Sequence, residues 1–135
     1  MESFVLLDTD TLSEIMRGRD SNIVQRAREY LRTHGRFRIS IISRYEILRG
    51  LKVKQAVRQI ALFEERCRES VVYPLTDDII LKASDIYAYL YNQGLLISDA
   101  DILIASTALV NNLTLITGNL GHFNRISNLV SQSWK

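Results

Sequence analysis

Acidic side chains recur at positions from which they could share one catalytic centre. They are Asp8 and Asp10 after the apolar run FVLL, Glu46 in SRYE, and Asp99 and Asp101 in SDAD. A carboxylate is costly to bury without a partner, so these charges must be used or neutralised. Carboxylate oxygens without a nearby thiolate or imidazole favour Mg²⁺ or Mn²⁺ over zinc. The residue types therefore predict a site for a hard divalent cation, provided that the fold brings the acids together.

Several of these acids also have a purely structural explanation. Asp10 stands where it could cap the helix that follows it. In SRYE (43–46) and SDAD (98–101), a serine at the N-cap with an acid three residues later fits a capping box. Considered alone, Glu46 and Asp101 are each explained at least as well by helix capping as by chemistry.

Apolar runs alternate with helical patterns along the chain, which predicts a parallel sheet covered on both faces. The predicted strands are 4–7, 37–42, 71–75 and 113–117, with a weaker one near 128–131. The predicted helices are 9–17, 21–33, 43–54, 55–69, 77–92 and 99–111, with Gly94 ending the fifth. Pro74 limits the third run to a short or edge strand.

Parallel topology brings the acids to one edge of this sheet. Every strand of such a sheet ends at the same edge, and the connecting helices begin there. Asp8 ends the first strand, while Glu46 and Asp101 fall in first turns of predicted helices. Thr117 and Asn119 follow the strand at 113–117. Like charges about 4 Å apart repel by roughly 4 kcal/mol at an effective dielectric near 20, and a divalent cation would remove that conflict.

The net charge of +2 conceals a basic segment. Residues 17–68 contain 14 of the 17 lysines and arginines but only five of the 15 acids. Such a segment is either a solvated helical surface or a face that attracts a polyanion. Twelve of these bases are arginines, whose planar guanidinium suits phosphate, and Arg44, Arg49 and Lys52 are the predicted contacts with the phosphates of such a polyanion. An acidic metal pocket beside such a face predicts phosphodiester cleavage.

Other classes of protein are disfavoured by composition. One cysteine and two distant histidines argue against a disulfide framework and a structural zinc site. The longest apolar stretch, 102–110, is too short to span a bilayer, and the beginning of the sequence has no signal-peptide pattern. We therefore expect a cytoplasmic protein without membrane contact, built as one domain over residues 1–135.

Four motifs, in order along nearly the whole chain, resemble those of the PIN-domain ribonucleases, and among them the VapC-type toxins of toxin–antitoxin pairs. LLDTDTLSE is similar to the opening motif, with Asp8 as its acid. SRYEILRG resembles the second, with Glu46 and Gly50 in place, and LISDADILIASTAL the third, with Asp101 rather than Asp99 as the family acid. LTLITGNLGHF resembles the last, through Thr117, Asn119 and Phe123.

The resemblance implies a three-layer α/β/α PIN-like nuclease domain with a central, mainly parallel sheet of four to five strands. It implies hydrolysis of RNA with Mg²⁺ or Mn²⁺ held by Asp8, Glu46 and Asp101, by attack of a metal-activated water. It also implies a homodimer and a small antitoxin partner that blocks the active-site groove.

The chain departs from the family pattern at two positions. Asp10 stands where the family commonly has asparagine. His122 stands before Phe123, where an acid is common, so a second metal is less expected. His122 could be an alternative ligand, a phosphate contact or a surface histidine. Asn119 could supply a neutral oxygen or orient its neighbours.

Two other functions could use the same acids. A haloacid-dehalogenase-type phosphatase would use Asp8 as nucleophile and Asp10 as acid and base, but Thr11-Leu12 replaces the expected Gly-Thr. A non-catalytic receiver-like module would bind Mg²⁺ at the sheet edge, but it has no need for Glu46.

Overall fold

The computed structural model of the chain describes residues 4–135 and contains there five short strands and seven helices. The strands are β1 (Val5–Leu7), β2 (Arg38–Ser40), β3 (Val71–Tyr73), β4 (Thr114–Ile116) and β5 (Ser131–Gln132). The helices are α1 (Thr9–Arg17), α2 (Ser21–His34), α3 (Ile41–Val53), α4 (Val57–Arg68), α5 (Asp77–Gln93), α6 (Asp99–Val110) and α7 (Leu120–Phe123). The predicted alternation is confirmed, and the short helix α7 is an addition to it.

The five strands form one sheet in the order β3-β2-β1-β4-β5, and every pairing in it is parallel. β1 lies in the centre, with Leu7 level with Ile39 on one side and with Ile116 on the other. β3, which precedes Pro74, is an edge strand as predicted. A receiver-type sheet has the order 2-1-3-4-5, so this topology rules out the receiver-like alternative.

The sheet has a hydrophobic core on each face, which makes the fold a three-layer α/β/α structure. Successive side chains of a strand point to opposite faces. Leu6 packs with α5 and α6 on one face, whereas Val5 and Leu7 pack with α1, α2 and α4 on the other. β4 divides in the same way, with Leu115 in the first core and Ile116 in the second. The rigid centre of this sheet carries the ends of β1 and β4, where the candidate site lies.

The start of α3 differs from the prediction. The apolar run 37–42 was expected to be strand throughout, but β2 ends at Ser40, whose hydroxyl caps α3 by accepting from the Ile42 N–H. The prediction of Ser43 as N-cap is therefore wrong, because Ser43 is a buried residue within the helix. Glu46 consequently lies in the second turn rather than the first. The capping-box explanation of Glu46 no longer applies.

Other helix ends test the remaining capping predictions. Ser98 caps α6 and accepts from the Asp101 N–H, as predicted. Gly94 ends α5 in a left-handed conformation with φ of 68°. The prediction that Asp10 caps α1 is wrong, because Asp8 is the N-cap and Asp10 lies inside the first turn. No helix among residues 4–135 has the length and hydrophobicity needed to cross a membrane.

Candidate active site

Asp8 lies at the end of the central strand, where the register of the sheet places it beside Thr117. Its backbone N–H continues the β1–β4 pairing by donating to the Ile116 carbonyl at 2.9 Å. The Asp8 carboxylate is only 5% exposed. Its Oδ1 accepts from the Thr9 N–H, and its Oδ2 accepts from the Thr117 hydroxyl, both at 2.8 Å. The carboxylate is therefore fixed in position by two different elements.

The charge of Asp8 is not neutralised by any cation among residues 4–135. Burial, together with the negative charges of Asp10 and Asp101, raises the pKa of Asp8 to about 7, although the hydrogen bonds from Thr117 and Thr9 act in the opposite direction. A buried, electrostatically unfavourable carboxylate in a cleft is a marker of a functional site. A bound cation would relieve this unfavourable charge.

Thr9 connects Asp8 to the second acid. The Thr9 hydroxyl donates to Glu46 Oε1 at 2.7 Å and lies 2.8 Å from the Oγ of buried Ser43. The other carboxylate oxygen of Glu46 lies 3.7 Å from the guanidinium of Arg49, one turn further along α3. Thr9 and Ser43 thus hold Glu46 beside the N-terminus of α1. The sequence suggested no role for the Thr9 hydroxyl and only helix capping for that of Ser43.

Asp101 and His122 meet on the other side of Asp8. His122 Nδ1 lies 3.2 Å from Asp101 Oδ2 and 2.8 Å from the amide nitrogen of Asn119. The Asn119 N–H donates to the Thr117 hydroxyl, which in turn donates to Asp8. A chain of polar contacts therefore links Asp101 to Asp8. His122 is 43% exposed, but its contacts with Asp101 and Asn119 show that it is more than an isolated surface histidine.

Asp99 and Asp10 occupy different places from the three linked acids. Asp99 is exposed at the start of α6 and makes no side-chain hydrogen bond or ion pair within residues 4–135. Asp10 accepts from the Thr11 N–H at 2.6 Å through Oδ1 and from the Gly118 N–H at 3.1 Å through Oδ2. Asp10 therefore joins α1 to the loop after β4 instead of capping the helix.

We expect Gly118→Ala to destabilise the protein by about 1–3 kcal/mol, because overpacking a filled space forces neighbours to move. A Cβ at Gly118 would lie 2.9 Å from Asp10 Oδ2, and the φ angle of Gly118 imposes no further penalty. Urea denaturation of the single variants and of the double variant Asp10→Ala/Gly118→Ala measures this conflict. The cost of Gly118→Ala should shrink when Asp10 is already alanine. An equal cost in both backgrounds would mean that the strain does not come from the contact with Asp10.

The three side chains predicted to contact RNA differ in how far other side chains already engage them. The Arg44 guanidinium makes two hydrogen bonds to the Glu64 carboxylate, at 3.0 Å and 2.6 Å, and this pairing lowers the pKa of Glu64. Arg44 thereby joins α3 to α4, with its Nε and Nη2 engaged by Glu64. Arg49 lies over the ring of Tyr45 at 5.1 Å and near Glu46, and Lys52 is exposed without an ion pair in the described chain.

The donor set fits a hard, hydrated cation. The available ligands are carboxylate, hydroxyl and amide oxygens, which Mg²⁺ and Mn²⁺ prefer. Within residues 4–135, no three His, Cys, Asp or Glu side chains are grouped tightly enough to form a complete ligand set. Asp8 and Asp101 are nevertheless close enough for Asp101 to raise the pKa of Asp8. This arrangement suits Mg²⁺, which is usually bound by one or two carboxylates and keeps several waters.

A hollow of about 560 Å³ lies away from these acids, beside the first residues of β1 and β4. It is lined by Val5, Thr114 and Trp134 and by side chains of α2 that include Arg26, Glu29 and His34. It brings no group of carboxylates together. The chemistry of the chain therefore lies at the opposite end of these strands, around Asp8.

This fold and this set of acids define a family. The chain belongs to the PIN domain family, whose model matches residues 5–129. Ribonuclease VapC1 of Methanocaldococcus jannaschii is 34% identical to it over 125 residues, which cover 93% of this chain and 82% of that protein. The PIN-domain match argues against the haloacid-dehalogenase-type phosphatase, which the strand order alone does not exclude.

Solved structures agree with this assignment. VapBC-1 from nontypeable Haemophilus influenzae contains a chain that is 31% identical, with a TM-score of 0.80 over 97% of this chain and 98% of that one. A DNA-bound VapBC from Salmonella typhimurium has a TM-score of 0.87 at 24% identity, over 99% of this chain and 100% of that one. The second likeness concerns the fold alone. The predicted three-layer α/β/α PIN fold is confirmed.

Proposed function

We propose that this protein is a divalent-metal-dependent endoribonuclease and the toxin of a toxin–antitoxin pair. The observation that carries the proposal is the buried carboxylate of Asp8. Burial and the nearby negative charges of Asp10 and Asp101 raise its pKa to about 7. PIN-domain membership and similarity to proteins named Ribonuclease VapC support RNA as the substrate.

In this proposal, Asp8 and Asp101 hold Mg²⁺ or Mn²⁺ directly, and Glu46 contributes through one of the waters that the cation keeps. When bound, such a cation supplies a Lewis acid that neutralises charge on the phosphodiester and makes a water more acidic. The remaining residues position these acids. Thr117 and Thr9 fix Asp8, Thr9 also fixes Glu46, and His122 with Asn119 orients Asp101. Hydrolysis then adds one water across a P–O bond of the RNA.

The basic residues of α3, Arg49 and Lys52, bind the phosphates of the RNA backbone in this proposal. We expect Arg49→Gln and Lys52→Gln each to weaken RNA binding and to reduce the salt slope by about one, because each removes one phosphate contact. Lys82→Gln on α5 is the matched control, since Lys82 is exposed outside the basic segment. Fluorescence anisotropy with a labelled single-stranded RNA over a range of salt concentrations measures both quantities. Equal slopes in all variants would make the segment a solvated surface.

Two protein partners complete the proposal. The VapBC similarity supports a small antitoxin as the cognate partner. A second copy of the chain is the other partner. In support of it, the outer face of α5 exposes an apolar stripe of Ile80, Tyr87 and Tyr91, with the two tyrosine rings stacked at 6.2 Å. Such a stripe is unusual on a surface that faces only water.

The function is tested by inducing the protein in cells and sequencing the RNA ends that appear. We expect growth arrest and new, recurrent RNA ends with the wild type, and neither with Asp101→Asn produced at the same level. The positions of these ends would also identify the class of RNA. New ends of the same kind from Asp101→Asn, or none from the wild type, would refute the proposed activity.

A further inference from the structure

A groove leads away from the candidate active site between α1 and α3. Its volume is about 450 Å³, and Thr9 and Glu46 line it where it meets the acids. Lys54 and Gln59 also line it, near the end of α3 and on α4 respectively. The groove is therefore continuous with the place where a scissile phosphate must bind.

The lining of this groove combines an apolar surface with a few polar groups. Met16, Ile47 and Leu51 are partly buried and pack against the core beneath α1 and α2. Ser13 and Gln59 contribute a hydroxyl and an amide. The groove therefore pairs apolar walls with polar groups, and its other lining side chains include the charged Arg17, Glu46 and Lys54.

Gly50 lines the groove without a side chain. It lies on α3 among the lining residues, and a Cβ at this position would meet no heavy atom within 4 Å apart from its own helix and chain neighbours. Gly50 thus faces open space, and a larger side chain fits at this position without a clash. A glycine inside a helix lowers helix stability, so its presence here needs another reason.

We propose that this groove is a nucleotide subsite, which binds one unpaired nucleotide next to the scissile phosphate. The inference rests on the proposed ribonuclease function. The base packs its faces against Met16 and Leu51 and directs its polar edge to Ser13 or Gln59, while Lys54 binds the adjoining phosphate. Lys54 suits this role because it is exposed and forms no ion pair in the part of the chain that the structure describes.

RNA fits the groove better than a peptide on two grounds. The groove begins at Glu46 and Thr9, so a nucleotide in it is covalently continuous with the phosphate at the acids. Lys54 also offers a positive charge at the other end of α3, where the backbone of an RNA would continue. Single-stranded nucleic acids are held in this way, by base packing combined with cationic contacts to phosphate.

Gly50→Leu tests the subsite because its side chain would fill the groove. With a short single-stranded RNA and Mg²⁺, we expect KM to rise about tenfold while kcat changes less than about twofold, since the chemistry at Asp8 is untouched. Gly50→Ala is the matched control, because a methyl group leaves most of the space open. It should raise KM by less than Gly50→Leu does and should unfold at a higher temperature than the wild type.

A second pair of variants keeps the test valid if Gly50→Leu misfolds. Lys54→Gln should raise KM about threefold and reduce the salt slope of RNA binding by about one, whereas Lys82→Gln should do neither. An unchanged KM in both Gly50→Leu and Lys54→Gln would overturn the subsite, and this is the result expected of a groove that serves a peptide. Absence of cleavage by the wild type would instead refute the proposed function.

Discussion

Asp101→Asn is expected to lower RNA cleavage by at least about a hundredfold, the scale of losing a group that acts on the transition state. The substitution keeps the size of the side chain but removes its negative charge. Asp101 is 22% exposed, lies at the start of α6 and meets His122. It is also one of two acids whose charges raise the pKa of Asp8. A cation site that loses one of these carboxylates loses a ligand and much of its attraction.

The matched control for this prediction is Asp99→Asn. Asp99 precedes Asp101 by two residues on the same helix, is exposed and has no side-chain partner within residues 4–135. It should retain activity within about threefold, since removal of a surface charge far from a contact changes little. Circular dichroism of both variants checks that the fold is intact. Equal losses in the two variants would mean that the net charge of this helix matters, and not a specific ligand.

Stability of the metal-free protein is expected to fall by about 4 kcal/mol as the pH rises from about 4 to about 8. The folded-state pKa of Asp8 is raised from 3.8 to about 7. Between these two values the unfolded chain has released the proton while the folded chain still holds it. The unfolded state therefore binds fewer protons, and increasing pH favours unfolding. Urea denaturation in chelator across this pH range measures the effect.

Asp8→Asn isolates the contribution of this one group. An amide does not ionise, so the variant should lose most of the pH dependence and should be the more stable protein at pH 8 without metal. Its amide oxygen can still accept from Thr9 or Thr117, as the carboxylate does. Mg²⁺ should stabilise the wild type at pH 8 and have little effect on the variant. The same pH dependence in both proteins would show that other groups cause it.

The position of an acid in the fold could be predicted from the sequence where the backbone alone determines it. Asp8 and Thr117 come directly after two strands that the apolar pattern reveals, and parallel pairing brings them together. Asp101, which the family motif favours over Asp99, is the acid whose charge raises the pKa of Asp8 and which contacts His122. The resemblance to the PIN family supplied the rest of the predicted fold.

The contacts that the sequence missed depend on side-chain geometry across different elements. Ile41 and Ile42 have the β-branched character of a strand, yet capping by Ser40 begins α3 there. The bonds from Thr9 to Glu46 and from Gly118 to Asp10 join residues 37 and 108 positions apart. The Arg44–Glu64 pair likewise joins two helices through residues 20 positions apart. No pattern along one chain reveals such pairings.

The central claim is that Asp8 and Asp101, assisted by Glu46, hold a cation with which the protein cuts RNA. Cleavage of a defined RNA by the purified protein, measured against Mn²⁺ concentration beside Asp101→Asn, tests this claim most directly. We predict cleavage by the wild type that saturates with Mn²⁺ and stops in excess chelator, and almost none by the variant at any concentration. Cleavage that persists in chelator, or equal rates for the two proteins, would contradict the account.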